Sequence, residues 1–487
     1  MARSVRRLTF AVPIAAAIGV AAAAGDAAAA GLYVSDRGVR PLGRGGAFVA
    51  GADDLGAIWY NPAGVVATPS SFLIDGSWID YGDTYTRHAL STSSGASGQP
   101  ATMPSMQAPT RFVQAMPAVS GSTPFLPIPT VAASYRWGSS QKFAVAGGVY
   151  APDAALLSYP ENGPQRYSLI SLNGSILAVL GGWFAYQPIE QFQMGVGVQM
   201  LTGFFHTTVD FSACAADHFM CASEDPNYDA LGKLATAPIF APSANAGMTW
   251  IPNHLVRVGL SGQAPFVVDS SATVDVRLPS AVFFDNAHQD GNSAHVHLEL
   301  PPILRAGVEL RPLESDDLRI ELSYVREFWS VQKSLDINPQ GITIDGITGF
   351  PPKFGVSAIS VPRGMVDSNS IRLGGEYAYT LQGVRLAARA GVAYETSAIP
   401  TSYVTPFTVD GDKVVASIGG SIFLGPRWRL DGVISHPFQS DVVVDARTAS
   451  VPIINPVQGN PTTPDRINGG IYHVDLWVIG GGLEYRF

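Results

Sequence analysis

From Ser70 to Phe487 apolar and polar residues alternate in runs of about ten, and a period of two puts successive side chains on opposite faces of a strand. In the run from Val384 to Glu395, one face carries Val384, Leu386, Ala388, Ala390, Val392 and Tyr394. The other carries Arg385, Ala387, Arg389, Gly391, Ala393 and Glu395. The same division recurs in Leu304, Ala306, Val308, Leu310 against Arg305, Gly307, Glu309, Arg311, and in Leu318, Ile320, Leu322, Tyr324 against Arg319, Glu321, Ser323. Strands are predicted at 70–85, 128–137, 141–150, 172–186, 192–205, 239–251, 255–268, 294–311, 318–330, 370–379, 384–396, 413–424, 428–443 and 471–487. That is about 14, an even number, as a barrel with both ends on one side of a membrane requires.

Such strands suit either a soluble sandwich with its apolar face inside or a membrane barrel with that face turned to lipid. The connections decide between them. Short turns ("GSSQ", "QPIEQ", "PNH", "PLESDD", "LQG", "GPR") alternate with mostly long loops such as 88–126, 207–238 and 331–369, the pattern of periplasmic turns and extracellular loops. Trp137, Trp183, Trp250, Trp428 and Trp477 near strand ends fit aromatic girdles. The expected fold is an all-β, transmembrane antiparallel barrel of about 14 strands with an amino-terminal plug.

Residues 1–30 have the order of a secretory signal peptide: Arg3, Arg6 and Arg7, an apolar run from Leu8, then Ala28-Ala29-Ala30. Residues 31–68 are not strand-like and carry Asp36, Arg37, Arg40, Arg44, Asp53 and Asp54, and 69–487 form the barrel. With apolar faces outward, Arg305, Glu309, Arg319, Glu321, Arg372, Glu376, Arg385, Arg389, Arg429, Asp431, Glu484 and Arg486 point inward. They pair either with one another across strands or with charges on the 31–68 plug.

Charged residues make up only 14% of the 487, and the formal net charge of -9 argues against a nucleic-acid partner. Cys214 and Cys221 suit a local disulfide in an oxidising compartment. Asp285, His288, Asp290, His295 and His297 match no metal-site spacing and are read as a solvated loop, so no metal or other cofactor is expected. No nucleophile elbow is present in the sequence, and an enzyme is not expected.

"LGRGGAFVAGADDLGAIWYNPAGV" resembles the hatch of the FadL/TodX family of outer-membrane channels for hydrophobic compounds, and "RLGGEYAY", "VRLAARAGVAYETSAIP" and the carboxy-terminal aromatic are similar to that family's later strands. The resemblance implies passive uptake of long-chain fatty acids or aromatic and aliphatic hydrocarbons. Ligand would pass from a groove between extracellular loops to a hatch-lined pocket, then sideways into the membrane near a kinked third strand. Carried onto this chain, the pocket would involve Gly31, Leu32, Phe48, Trp59 and the motif Asn61, Pro62, Ala63, Gly64, and the kink would involve Gly147, Gly148 and Pro152. Leu231 and Leu234, on a short predicted helix with Tyr228, would line the groove together with Phe240 and Phe266. The implied partners are a hydrophobic small molecule, outer-membrane lipids and lipopolysaccharide, and the barrel-assembly machinery at Phe487, with a monomer as the expected state. The charged lumen leaves a plugged or gated porin for polar solutes as the alternative.

Overall fold

The computed structural model describes residues 36–93, 110–124, 127–138, 140–151, 157–213, 221, 224–349, 351–455 and 465–487. The leader, Gly31, Leu32, Pro152 and Cys214 lie outside them; Cys221 is disulfide-bonded.

Fourteen antiparallel strands close into a barrel. They are β1 Ser71–Ser93, β2 Pro127–Trp137, β3 Phe143–Tyr150, β4 Ile176–Ile189, β5 Phe192–Phe204, β6 Ile239–Asn253 and β7 Val256–Gln263. The remainder are β8 Ile303–Leu310, β9 Leu318–Glu327, β10 Ser368–Leu381, β11 Val384–Glu395, β12 Lys413–Leu424, β13 Trp428–Phe438 and β14 Gly470–Arg486. Each pairs with its sequence neighbour, and β14 returns to β1 in continuous register from Ser71↔Arg486 to Arg87↔Gly470. Pairing of the last strand with the first leaves no sheet edge running the length of the barrel, which a membrane-spanning sheet cannot tolerate.

Prolines account for two of the differences from the predicted strand ends. A single strand is predicted at 294–311, but Pro301 and Pro302 divide it into Ser293–Leu300 and β8. Pro265 similarly divides 255–268 into β7 and Phe266–Arg277. The outer pieces form a second, six-stranded sheet of His206–Ser212, Asp229–Thr236, Phe266–Arg277, Ser293–Leu300, Ser334–Pro339 and Ile359–Pro362, which continues the wall outward above β5 to β10.

The outer face is apolar: Ile371, Leu373, Leu304, Val308 and Ile418 are exposed to the membrane side. The inner face is divided. Strands β3 to β6 contain no charged residue. By contrast, β8 to β14 bury Arg305, Glu309, Glu321, Arg372, Glu376, Arg389, Arg429, Asp431 and Glu484. Arg385 departs from expectation: it sits at a turn, half exposed, paired with Asp317 at 2.8 Å rather than reaching into the lumen.

Candidate functional site

Residues 36–68 form no strand, only the single helical turns Val39–Leu42 and Ala57–Tyr60 and the 3-10 turn Pro62–Val66, and nearly all of them are buried. Their charges meet the charged half of the wall. Arg40 grips Glu376 of β10 through two bonds, Nε and Nη2 each at 2.9 Å, and also reaches Asp53 and Asp54. Arg44 donates to Glu309 at 2.8 Å and to Glu321 at 3.3 Å. Asp53 pairs with Arg319, Asp54 with Arg429 at 3.0 Å, and Asp36 with Arg372. Glu321 additionally accepts the backbone N–H groups of Val49, Ala50 and Gly51 at 2.5, 3.0 and 2.8 Å. Several donors on one carboxylate offset the large cost of burying its charge. Of the two readings of the inward charges, cross-strand pairs exist (Arg389 with Asp431, Arg429 with Glu484), and pairs with the amino-terminal segment join them.

The wall also makes room for this segment's backbone. Three inward-facing glycine pairs lie directly across from one another: Gly195↔Gly247, Gly259↔Gly307 and Gly374↔Gly391. A Cβ at Gly195 or Gly247 would overlap Pro62 or Asn61; one at Gly259 would stand 2.5 Å from the Val49 carbonyl oxygen; one at Gly374 or Gly391 would overlap the Arg44 backbone. Only glycine permits these approaches.

Asn61 fixes the segment's end. Its Oδ1 accepts from the Ala63 N–H at 3.1 Å, and its Nδ2 donates to the carbonyls of Val49 (2.8 Å) and Met248 (3.2 Å) and to the Thr249 hydroxyl (3.0 Å). Asn245 of β6 donates to the Ile58 carbonyl at 2.9 Å. Asn61, Pro62 and Ala63 thus sit at a docking turn against β5 and β6, and Gly64 packs on Ala52. Phe48 lies between the Arg40 and Arg44 guanidinium groups, each 5.3 Å from the ring centre, and edge-on to Tyr60, inside the segment's own core.

Trp59 faces the uncharged half. Its ring meets Tyr150 of β3 edge-on at 5.4 Å, and Arg305 covers it at 4.6 Å. Trp59 Nε1 and Tyr150 Oη are buried donors without a partner among the described residues. A cavity of about 10 Å³, the size of one water, lies beside them, lined among others by Ile58, Leu73 and Asp75. Trp59 shares one buried apolar cluster, termed the apolar column, with Tyr150, Val179, Leu201, Phe205 and Phe407.

The ladder at β3 is interrupted, though not where glycine suggests. Pairing passes through Gly147 and Gly148 on both sides without a register shift, and ends at Thr130↔Tyr150 and Tyr150↔Val179. Beyond that point, Pro127, Ile128 and Pro129 of β2 and 176–178 of β4 have no ladder partner between them among the described residues, except that the Ala151 N–H donates to the Pro129 carbonyl at 3.3 Å. Pro127 and Pro129 lack the N–H that an unpaired strand would otherwise leave unsatisfied. Farther out, the isolated bridges Ser122↔Ser158, Ser158↔Ser171 and Ser171↔Thr208 close the wall again.

The four loop residues do not all come together, although Leu234 and Phe266 belong to the same buried apolar cluster as Trp59. The short helix predicted around Leu231 is the strand Asp229–Thr236, so Leu231 and Leu234, three apart, point to opposite faces; both are buried. Phe266 is buried in the outer sheet, while Phe240 projects outward from β6. The cleft beside Leu231, 610 Å³ in volume, is lined by Lys233, Asp275, Arg277 and Asn292 and is polar rather than greasy. Two features of the site escaped the sequence reading although they are written in it: the absence of charge from β3 to β6, and the glycines in inward register.

A closed 14-stranded barrel with a charged inner wall and a non-strand segment bonded to it defines a membrane-spanning, channel-type protein. The chain belongs to the outer membrane protein transport protein family (OMPP1/FadL/TodX), whose model matches residues 20–487. It is thus a multi-pass transport channel of the Gram-negative outer membrane and not an enzyme. A FadL homologue from Pseudomonas aeruginosa shares its fold at a TM-score of 0.68 and 16% identity, over 94% of this chain and 100% of that one. The toluene transporter TbuX of Ralstonia pickettii aligns at 0.56 and 15%, over 93% and 99%, and the toluene transporter TodX of P. putida at 0.55 and 12%, over 89% and 94%. No curated protein matches the chain.

Proposed function

We propose that the chain carries hydrophobic compounds passively across the outer membrane, with residues 31–68 as a hatch and the break in the wall outward of Tyr150 as a sideways exit into lipid. The observation that carries this reading is the meeting of Trp59 with Tyr150, where the apolar column, the amino-terminal segment and the end of the β3 ladder coincide. An apolar ligand descending the column gains about 25 cal/mol per Å² of surface removed from water. It meets a hatch clamped to the charged half of the wall, beside an uncharged half whose backbone pairing has stopped. Lateral release needs no aqueous path through the hatch, which accounts for a lumen filled by ion pairs. Membership of a family that includes hydrophobic-compound channels, and a fold shared with two toluene transporters, agree with the reading. Insertion through Phe487 and its monomeric state in a lipopolysaccharide-bearing membrane belong to the same proposal.

Two measurements on the full chain test it. In planar bilayers the channel should show no large steady conductance, whereas a sustained open-pore current identifies a polar-solute porin. In liposomes, transfer of an apolar compound such as toluene or decane into the bilayer should be accelerated by the protein; transfer no faster than through protein-free liposomes overturns the proposal.

A further inference from the structure

The connections on the long-loop side converge on one apolar mass. Leu157, Leu169 and Leu172 from between β3 and β4, Phe211 from between β5 and β6, Phe407 from before β12 and Val444 from before β14 are all buried in the cluster that holds Trp59. An apolar compound that reaches Trp59 from outside has to part these pieces. Residues 157–172 are joined to the wall by single bridges rather than by a ladder: Ser158 pairs with Ser122, and Ser171 with Thr208. Between those two arms, 161–168 form only turns.

Side chains fasten this turn to neighbouring connections. Arg166 Nε donates to Asp229 at 2.7 Å, and its Nη2 donates to the Glu224 carbonyl at 2.9 Å; the Tyr167 hydroxyl donates to Asp229 at 2.6 Å. Asp210, on the outer strand His206–Ser212, stands 3.7 Å from the same Nε. It is 6% exposed, and its Oδ1 is buried without a partner among the described residues. Arg166 therefore faces two buried carboxylates and bonds only one. The charged groups around Asp210 are Asp229 from Asp229–Thr236, Arg277 from Phe266–Arg277, and Arg166 and Glu161 from the turn itself. Burial and then Asp229 push its carboxyl up to about 7, with Arg166 and Arg277 opposing and Glu161 reinforcing the shift.

We propose that residues 157–172 are a strap that closes the outer end of the apolar column, with Arg166 as its latch and Asp210 as the group whose ionisation releases it. With the strap lifted, Asp210 meets water and titrates near about 4. Between about 4 and 7 the closed form thus keeps a proton that the open form has released. Closure is fully supported at the acidic end of that window and weakens as pH rises through it. The inference rests on the proposed passage of hydrophobic compounds through this column and adds how entry is controlled.

The test follows decane transfer into liposomes carrying the full chain at pH 6 and pH 8, for the unsubstituted protein, D210N and R166M. The unsubstituted chain should transfer decane up to about tenfold faster at pH 8, the change in the open-to-closed ratio for a group whose titration moves between about 4 and 7. D210N, which stays neutral, should remain at its pH 6 rate. R166M, without its latch, should be fast already at pH 6; migration as a folded barrel in unheated gels shows that each variant is intact, and if R166M does not fold, the D210N comparison decides. A rise with pH in D210N as large as in the unsubstituted chain, or a folded R166M no faster than the unsubstituted chain at pH 6, overturns the strap. Protein-dependent transfer that is indifferent to pH in the unsubstituted chain overturns it as well and leaves hydrophobic passage standing. Transfer no faster than through protein-free liposomes at either pH, in all three proteins, overturns the passage itself.

Discussion

The Arg44 guanidinium reaches from the amino-terminal segment to Glu309 on β8 at 2.8 Å, and neither side chain has any exposure to solvent. Such a pair contributes little net stability relative to an apolar replacement of both partners, but loss of one partner strands the other's charge. R44M should therefore loosen the hatch at a cost of about 3–5 kcal/mol, since Glu309 and Glu321 both lose it as a partner. The double variant R44M/E309Q should be milder than R44M. Brief current bursts in planar bilayers, more frequent in R44M than in the double variant, are the expected record; indistinguishable records would mean that this pair does not hold the hatch.

Glycine pairing on the inner wall makes a second prediction. A side chain at Gly374 overlaps the Arg44 carbonyl oxygen, whereas Gly182, on the outer face of β4, has open space around it. G374V should expel the hatch from its seat and expose residues 40–50 to protease, while G182V leaves them protected. Both barrels should still close, because neither substitution interrupts a ladder. Equal protection in the two variants would show that the segment yields to the added side chain at little cost.

The barrel was legible because its determinants are local. Alternation, turn chemistry and the terminal aromatic each occupy about ten residues or fewer, and a lipid-facing strand must repeat them. The strand breaks at Pro265 and Pro301-Pro302 could have been read from proline alone. The lumen was legible only in part. Inward charges follow from alternation, but the partner of Arg40 is Glu376, 336 residues away, and no spacing rule connects them. Glycines were misread at Gly147 and Gly148, where pairing is regular, and passed over at Gly374 and Gly391, where it is the opposing segment rather than the strand that requires them. The loop residues Leu231 and Leu234 were assigned a helix because a three-residue spacing of leucines suits one face of a helix; pairing with Phe266–Arg277 and His206–Ser212 overrode it.

A pH dependence follows from Asp410, in the connection before β12. Its Oδ2 accepts from the Ala398 N–H at 2.8 Å and the Ser397 hydroxyl at 3.0 Å, and burial pushes the carboxyl up to about 8, with the Lys413 ammonium opposing and Glu395 reinforcing the shift. An unfolded aspartate titrates near about 4, so between about 4 and 8 the folded chain keeps a proton that the unfolded chain has released. This group's stabilisation is complete at the acidic end and is lost as pH rises through that window. Asn at this position can still accept both bonds but does not titrate. D410N should therefore show a flatter stability–pH curve in thermal melts from liposomes and exceed the unsubstituted chain at pH 8 and above; parallel curves would rule this out.

The ladder's end at Tyr150 should be visible in backbone exchange. Residues 182–185 of β4 are paired with both β3 and β5, whereas among the described residues 176–178 are paired only with β5, through Ile176↔Phe204, Leu177↔Gly203 and Ala178↔Thr202. Amides opened to water or lipid on one side exchange through local fluctuations rather than through unfolding of the barrel. Hydrogen–deuterium exchange of the chain in nanodiscs should therefore run on the order of tenfold faster in peptides covering 176–178 than in those covering 182–185. An apolar ligand leaving by this route occupies the space between β2 and β4, so saturating decane should slow exchange at 176–178 and leave 182–185 unchanged. Exchange at 176–178 as slow as at 182–185, or indifferent to ligand, would place the exit elsewhere in the wall.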